Sequence, residues 1–193
     1  MPVPHQQDPW TRVTTVRGYA ADELISTLQK SIRRGDLRLA LLVARELYET
    51  SAELEAVMWS RLCVISCEDV GDGSFHEPVV VNALFQMHER MERSAGDRWL
   101  FAVHAVRYLA ERVKDRTSDE WANLVLHLAA ASDRPFEVPD YALDVHTRRG
   151  QELGRDVDGF WADGALLANE RPDRDTSVRE EILRLRAAGQ WRA

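Results

Sequence analysis

Cysteine is scarce. Cys63 and Cys67 are the only two, which excludes a disulfide framework. Four residues apart in a helical pattern, they sit one turn from each other and do not readily reach disulfide geometry, so the spacing predicts two small buried thiols in a reducing compartment. A zinc site would need two more donors. Glu68, Asp69 and His76 lie nearby but in no known ligand spacing, so no metal is expected. The ten glycines are scattered, and nowhere does the phosphate-cradling run G-x-x-x-x-G-K-S/T occur. No hydrophobic strand ends in the paired acids that would hold Mg²⁺, so ATP hydrolysis by this chain alone is not expected and no cofactor is implied. No window approaches the roughly 18 apolar residues of a membrane span, and MPVPHQQDPW lacks the basic start and apolar stretch of a signal peptide. The expectation is a soluble, cytoplasmic protein. Cationic runs longer than two residues are also missing, and 32 acidic against 25 basic residues give a net charge of −7. The molecule as a whole therefore repels nucleic acid unless its cations gather on one face.

What is present is helical periodicity, in enough apolar material for one substantial core. Leu24, Leu28 and Ile32 stack at four-residue steps. Gly35 then offers a left-handed stop, and Asp36 a cap for the next helix. Leu37, Ala40, Leu41, Ala44, Leu47 and Tyr48 trace the next stripe, predicting a helical hairpin. Leu39, Leu42 and Val43 widen the arc, so this second helix is expected to be central. Ser51 can cap a third helix whose face is Leu54, Met58, Leu62 and Ile65, ending at Gly71 in a Gly71-to-Ser74 loop. Glu68 and Asp69 are electrostatically misplaced at that C-terminus, which predicts a basic partner or hydrogen bonds from the next loop. A fourth helix follows Pro78 with Val80, Ala83, Leu84, Met87 and Met91 facing inward. A fifth, opened by Asp97, carries Trp99, Ala102, Val103, Val106, Leu109, Ala110 and Val113. A sixth, opening at Thr117 or Ser118, is expected to pack Trp121, Leu124, Val125 and Leu128 into the core. No strand pattern stands out: FEVP is too short, and its proline would confine it to an edge. The expected fold is all-α.

The stretch ELISTLQKSIRRGDLRLALLVARELYET, followed by RLCVISCEDVGDG, resembles the C-terminal region of RarA/MgsA-type AAA+ ATPases, relatives of clamp loaders. That family's pattern reads Gln-Lys-Ser-Ile-Arg-Gly-Ser-Asp, then Ala-Ser-Glu-Asp-Ile-Gly. Here the matching residues are Gln29, Lys30, Ser31, Ile32, Arg33 and Asp36, then Ser66, Glu68, Asp69, Val70 and Gly71. A weaker resemblance extends to about Pro139. The resemblance implies a compact multi-helix bundle like the clamp-loader collar, over residues 20–134, with residues 1–19 as an N-terminal extension. It further implies an oligomerisation or scaffolding role in DNA replication and repair, as a homotetramer. The implied partners are an AAA+ ATPase or single-stranded-DNA-binding protein. The chain would then be a stand-alone relative of the assembly domain or a part separated from its ATPase.

Residues 135–193 match nothing in that family with confidence. Gly150, Gly154, Gly159 and Gly164 interrupt the pattern, predicting a tail of short helices packed on the same domain. Asp140, Asp144, His146, Arg148 and Arg149 crowd together, with Arg155 close behind. Three readings stay open. His146, Arg148, Arg149 and Arg155 could bind a phosphate of nucleic acid or of a small ligand. Asp140, Asp144 and His146 could form a metal or acid/base site, although their spacing matches no known motif. The default is an intramolecular salt-bridge and capping network, or a subunit contact. His104 and His127, single histidines on helices, are read as packed or surface residues. Among six tryptophans, Trp10 and Trp191 are the candidates for docking the termini.

Overall fold

The computed structural model describes residues 8–70 and 75–192. The chain is all-α. Among the described residues the only β interactions are two isolated bridges, Thr14 with Ala20 and Val70 with Asp115. No helix is long and apolar enough to cross a membrane among those residues. The chain divides into two compact units, Met1–Asp133 and Arg134–Ala193.

Among the described residues the first unit holds six α-helices: α1 Ala21–Arg34, α2 Leu37–Thr50, α3 Ala52–Glu68, α4 Glu77–Glu89, α5 Arg98–Glu111 and α6 Thr117–Ala131. The tight turns between the first three have identifiable causes. Gly35 adopts φ +73° and caps α1, its N–H bonding to Ile32, where a side chain would be strained. Asp36 and Ser51 then cap α2 and α3 by accepting from the backbone N–H of Leu39 and Leu54. Helices joined so closely must pack antiparallel. α2 packs against α1, α3 and α5, which makes it central. Leu28, Ile32, Ala44, Leu47, Leu54, Met58, Leu62 and Leu109 are sealed from solvent in one cluster.

Several expectations are corrected. Leu39 and Leu42 on α2 are exposed, because α2's neighbours cover an arc narrower than its apolar one. On α4 Leu84 is buried as expected, but its companions in the buried stripe are Glu77, Val81 and His88 rather than Val80, Ala83, Met87 and Met91. Three consecutive valines leave the helical phase ambiguous, and the register settles one residue away. α3 ends at Glu68, and the expected stop at Gly71, with its loop to Ser74, lies outside the described residues. Val113 falls beyond the end of α5 and is exposed. Cys63 and Cys67 are exposed, on the side of α3 turned away from its core stripe. The largest departure is α6, which buries none of its residues.

An ionic tie joins α3, α4 and the start of α5. The Glu55 carboxylate accepts from Arg93 Nε at 2.7 Å and Arg98 Nε at 3.0 Å and lies 2.5 Å from His88 Nε2, which also receives the Trp59 indole N–H at 3.1 Å. Arg98 also donates to the backbone oxygens of His88 and Met91, closing the α4–α5 connection. Burial alone would push the Glu55 carboxyl up, but the hydrogen bonds from Arg93 and Arg98 outweigh it and hold it below the ordinary range. Burial likewise lowers His88, so the imidazole is neutral at pH 7 despite its carboxylate neighbour.

Each of these groups binds fewer protons folded than unfolded. Their stabilisation is complete above the ordinary histidine value of about 6.5 and is lost as pH falls, first through His88 and then through Glu55. The urea midpoint is expected to drop between pH 7.5 and 5.5, and His88→Gln to reduce that drop. An undiminished drop in the variant would remove His88 as its source.

Candidate functional site

The two sequence motifs, some 35 residues apart in the chain, meet in space. Gln29 and Arg33 lie one turn apart on α1 and face the C-terminus of α3. Gln29 Nε2 donates to Asp69 Oδ2 at 3.1 Å, and Arg33 Nε to Asp69 Oδ1 at 2.5 Å. The Arg33 guanidinium reaches Glu68 Oε1 at 3.0 Å as well. Arg116, in the α5–α6 connection, approaches the same acids, with Nη1 3.6 Å from Asp69 Oδ1 and Nη2 3.7 Å from Glu68 Oε1. The misplaced acids at the end of α3 therefore meet two arginines.

Asp69 is the centre of this network, with 0% of its side chain exposed. Its backbone oxygen accepts from Asp115 N at 3.0 Å, which aligns residues 69–70 with the segment leading into α6. Lys114 donates to the Leu109 and Ala110 carbonyls, placing a cation on the C-terminus of α5. Of the remaining motif residues, Lys30 is exposed and bonded to Ser26, while Ser31 is buried and donates to the Thr27 carbonyl. Neither reaches Asp69. Gly71 lies outside the described residues. Both oxygens of the buried Asp69 carboxylate are engaged within the protein, so the chemistry of the cluster is to lock α1, α3 and the α5–α6 connection together.

The network also orients α6, which packs on α3. Asp119 is paired to Arg116. Between the two helices runs an open groove of about 480 Å³, lined by Cys63, Val64, Cys67, Glu68, Ser118, Asp119 and Ala122. Desolvation in the groove, and then the neighbouring Cys67, raise the Cys63 thiol above its ordinary range, which makes it a poor nucleophile. Beyond the groove Trp121, Leu124, Val125, Leu126 and Leu128 face solvent, Trp121 60% and Leu126 70% exposed. A helix apolar on most of its circumference is ordinarily buried. Sequence reasoning took this apolarity for core, because periodicity reports that a face is covered and not by what.

The second unit has a short turn at Asp140–Ala142, α7 Arg148–Glu152, α8 Val157–Gly159 running into a wider turn at Phe160–Gly164, and α9 Ser177–Ala187. It brings the predicted polar residues together mostly as pairs. Arg155 forks onto both oxygens of Asp140 at 2.7 and 2.8 Å. Asp144 accepts from the His146 backbone N–H at 2.9 Å and lies 3.2 Å from His146 Nδ1. The backbone bond first, and then the imidazole, hold its carboxyl below the ordinary range. Arg148 lies 3.7 Å from Glu152, and the Arg149 guanidinium has no ion-pair partner among the described residues. The His146 ring meets Phe160 edge-on. Among the described residues no group of three or more potential ligands could hold a metal ion. Gly150 is a packing requirement: a Cβ there would stand 1.9 Å from the Asp144 carbonyl oxygen. The buried pair of His88 with Glu55 was missed from sequence. Only its phase with Leu84 on α4 could have marked His88 as inward-facing.

Compared with models of known protein families and with curated proteins, the chain matches none.

Removing the Arg33 partner of buried Asp69 is expected to destabilise the first unit by about 3 kcal/mol. A double-mutant cycle of Arg33→Ala with Asp69→Ala in urea should show strong coupling, and additive effects would dissolve the pair. Gly150→Ala is expected to abolish the hydrogen-exchange protection of the amides of residues 150–155 while leaving α1 to α3 protected.

Proposed function

We propose that the chain is a non-catalytic oligomerisation and scaffolding module, related to the collar of replication-fork-maintenance AAA+ ATPases, that self-associates through α6. One observation carries this reading. α6 presents five large apolar side chains to solvent and buries none. They expose on the order of 500 Å² of side chain, the scale at which an apolar patch marks an interaction site and more than half of what one partner contributes to a standard interface. The groove beside α6 extends the patch onto α3.

The resemblance of the Gln29–Arg33 and Glu68–Asp69 segments supplies the functional context: assembly of an AAA+ ATPase, in DNA replication and repair. The motif residues support a structural role, since they fasten α1 to α3 and set the segment from which α6 departs. A net charge of −7 favours protein partners over bare DNA. In the second unit, of the arginines that the sequence offers to a phosphate, Arg155 is engaged by Asp140, while Arg148 lies 3.7 Å from Glu152 and Arg149 has no ion-pair partner among the described residues.

Sedimentation velocity over a concentration series is expected to show a homo-oligomer, a tetramer by the resemblance. Trp121→Asp combined with Leu128→Asp should weaken association at least 100-fold without changing the helical circular dichroism. A wild-type chain that stays monomeric at high concentration would overturn the reading, as would unchanged assembly in the double variant.

A further inference from the structure

A second feature of the first unit is independent of assembly. A cavity of about 390 Å³ opens between α3, α4 and the start of α5. Its size falls within the range of small-molecule sites. The α3 wall carries Ala52, Ala56 and Ser60, small residues that leave the space open. Phe85 of α4 supplies an aromatic wall. Behind it Trp59 of α3, 2% exposed, tilts onto Phe85 at 5.5 Å and His88 at 4.9 Å between ring centroids and so backs the wall from within. One end is ionic, formed by the Glu55 network.

Most donors at that end are spent. Arg98 is fully engaged by Glu55, Glu89 and two backbone carbonyls. Both oxygens of Glu55 already accept from guanidinium donors. Arg93 is different. Its Nε donates to Glu55 and its Nη2 to the Tyr48 carbonyl, but its Nη1 makes no hydrogen bond to the described residues, and its side chain is nearly half exposed. Two bonds hold the guanidinium in place, so its remaining nitrogen is a preorganised donor that loses little entropy on binding. Of the surrounding acids, Glu89 is paired to Arg98 at 3.1 Å, and the exposed Glu53 lies within electrostatic reach of Arg93. His88 Nδ1 lies 3.2 Å from Glu89 but outside hydrogen-bonding geometry, and has no hydrogen-bond partner.

We propose that this cavity binds a planar aromatic carboxylate, its ring against Phe85 and the small α3 residues and its carboxylate on Arg93 Nη1. The small α3 wall and the aromatic wall define a slot for a flat ring, since aromatic rings gain from offset and edge contacts with one another. The arginine sets the anionic end, because a charge-assisted bond from a guanidinium is the strongest available there.

Calorimetric titration of the full chain with indole-3-carboxylate tests this, with the neutral indole-3-carboxamide as control. The carboxylate is expected to bind with Kd of about 1 mM or tighter, a scale suited to a ligand of that size, and the amide at least tenfold more weakly. Arg93→Gln should bring the carboxylate down to the level of the amide. Because Arg93 also holds Glu55, Ala56→Leu provides a second variant that fills the cavity from an exposed helix position without touching the ion pairs. It should weaken binding at least tenfold with the melting temperature little changed. Absence of carboxylate binding, equal affinity for the amide, or unchanged affinity in Ala56→Leu would each overturn the proposal. None of these results bears on oligomerisation.

Discussion

The burial of one carboxylate organises the first unit. Asp69 sits at the C-terminus of α3, where the helix dipole disfavours an acid, and it is wholly removed from water. A charge in that position persists only if donors surround it. Gln29 and Arg33 supply them from α1 and Arg116 from the α5–α6 connection, so elements distant in the chain must converge on one point. The same residue's backbone oxygen holds Asp115, which sets where α6 begins. Placement of the most exposed apolar helix thus follows from satisfying the most buried acid.

α3 connects the remaining features because each of its sides has a different task. Leu54, Met58, Leu62 and Ile65 fill the core. Glu55 and Trp59 turn toward α4 and α5, where ion pairs and aromatic contacts form one end and one wall of a cavity. Cys63 and Cys67 continue around the helix to the groove shared with α6. A helix buried on one side can thus serve two surfaces without compromising its packing, since residues at 100° intervals answer to separate neighbours. In the second unit, by contrast, order comes from local pairs and caps: Arg155 on Asp140, Thr147 and Asp156 capping short helices, and Gly150 admitting a close backbone approach.

Features that depend on a few adjacent residues were legible in the chain. Gly35 as a left-handed stop, Asp36 and Ser51 as caps, and the faces of α1 and α3 follow from local stereochemistry and period. That Glu68 and Asp69 need a basic partner or hydrogen bonds from the next loop was also legible, because the dipole argument requires only the helix end. Which arginines would answer it was not. α4 shifted by one residue because Val79, Val80 and Val81 fit more than one phase, and His88 was overlooked because a lone histidine carries no sign of a carboxylate 33 residues away.

The sequence by itself determined the all-α class, the order of the helices and the tight turns of the α1–α3 hairpins, since these rest on propensity, capping and spacing along the chain. Only the tertiary structure decided what each apolar or charged face meets. Trp121 and Leu128 have the same periodicity as the core residues of α5, yet they stand exposed. The thiols of Cys63 and Cys67 line a groove rather than the core. Arg33 and Asp69 find each other across 36 residues. Burial and ion pairing are properties of which surfaces come together in space, and a one-dimensional pattern encodes the surface without its partner.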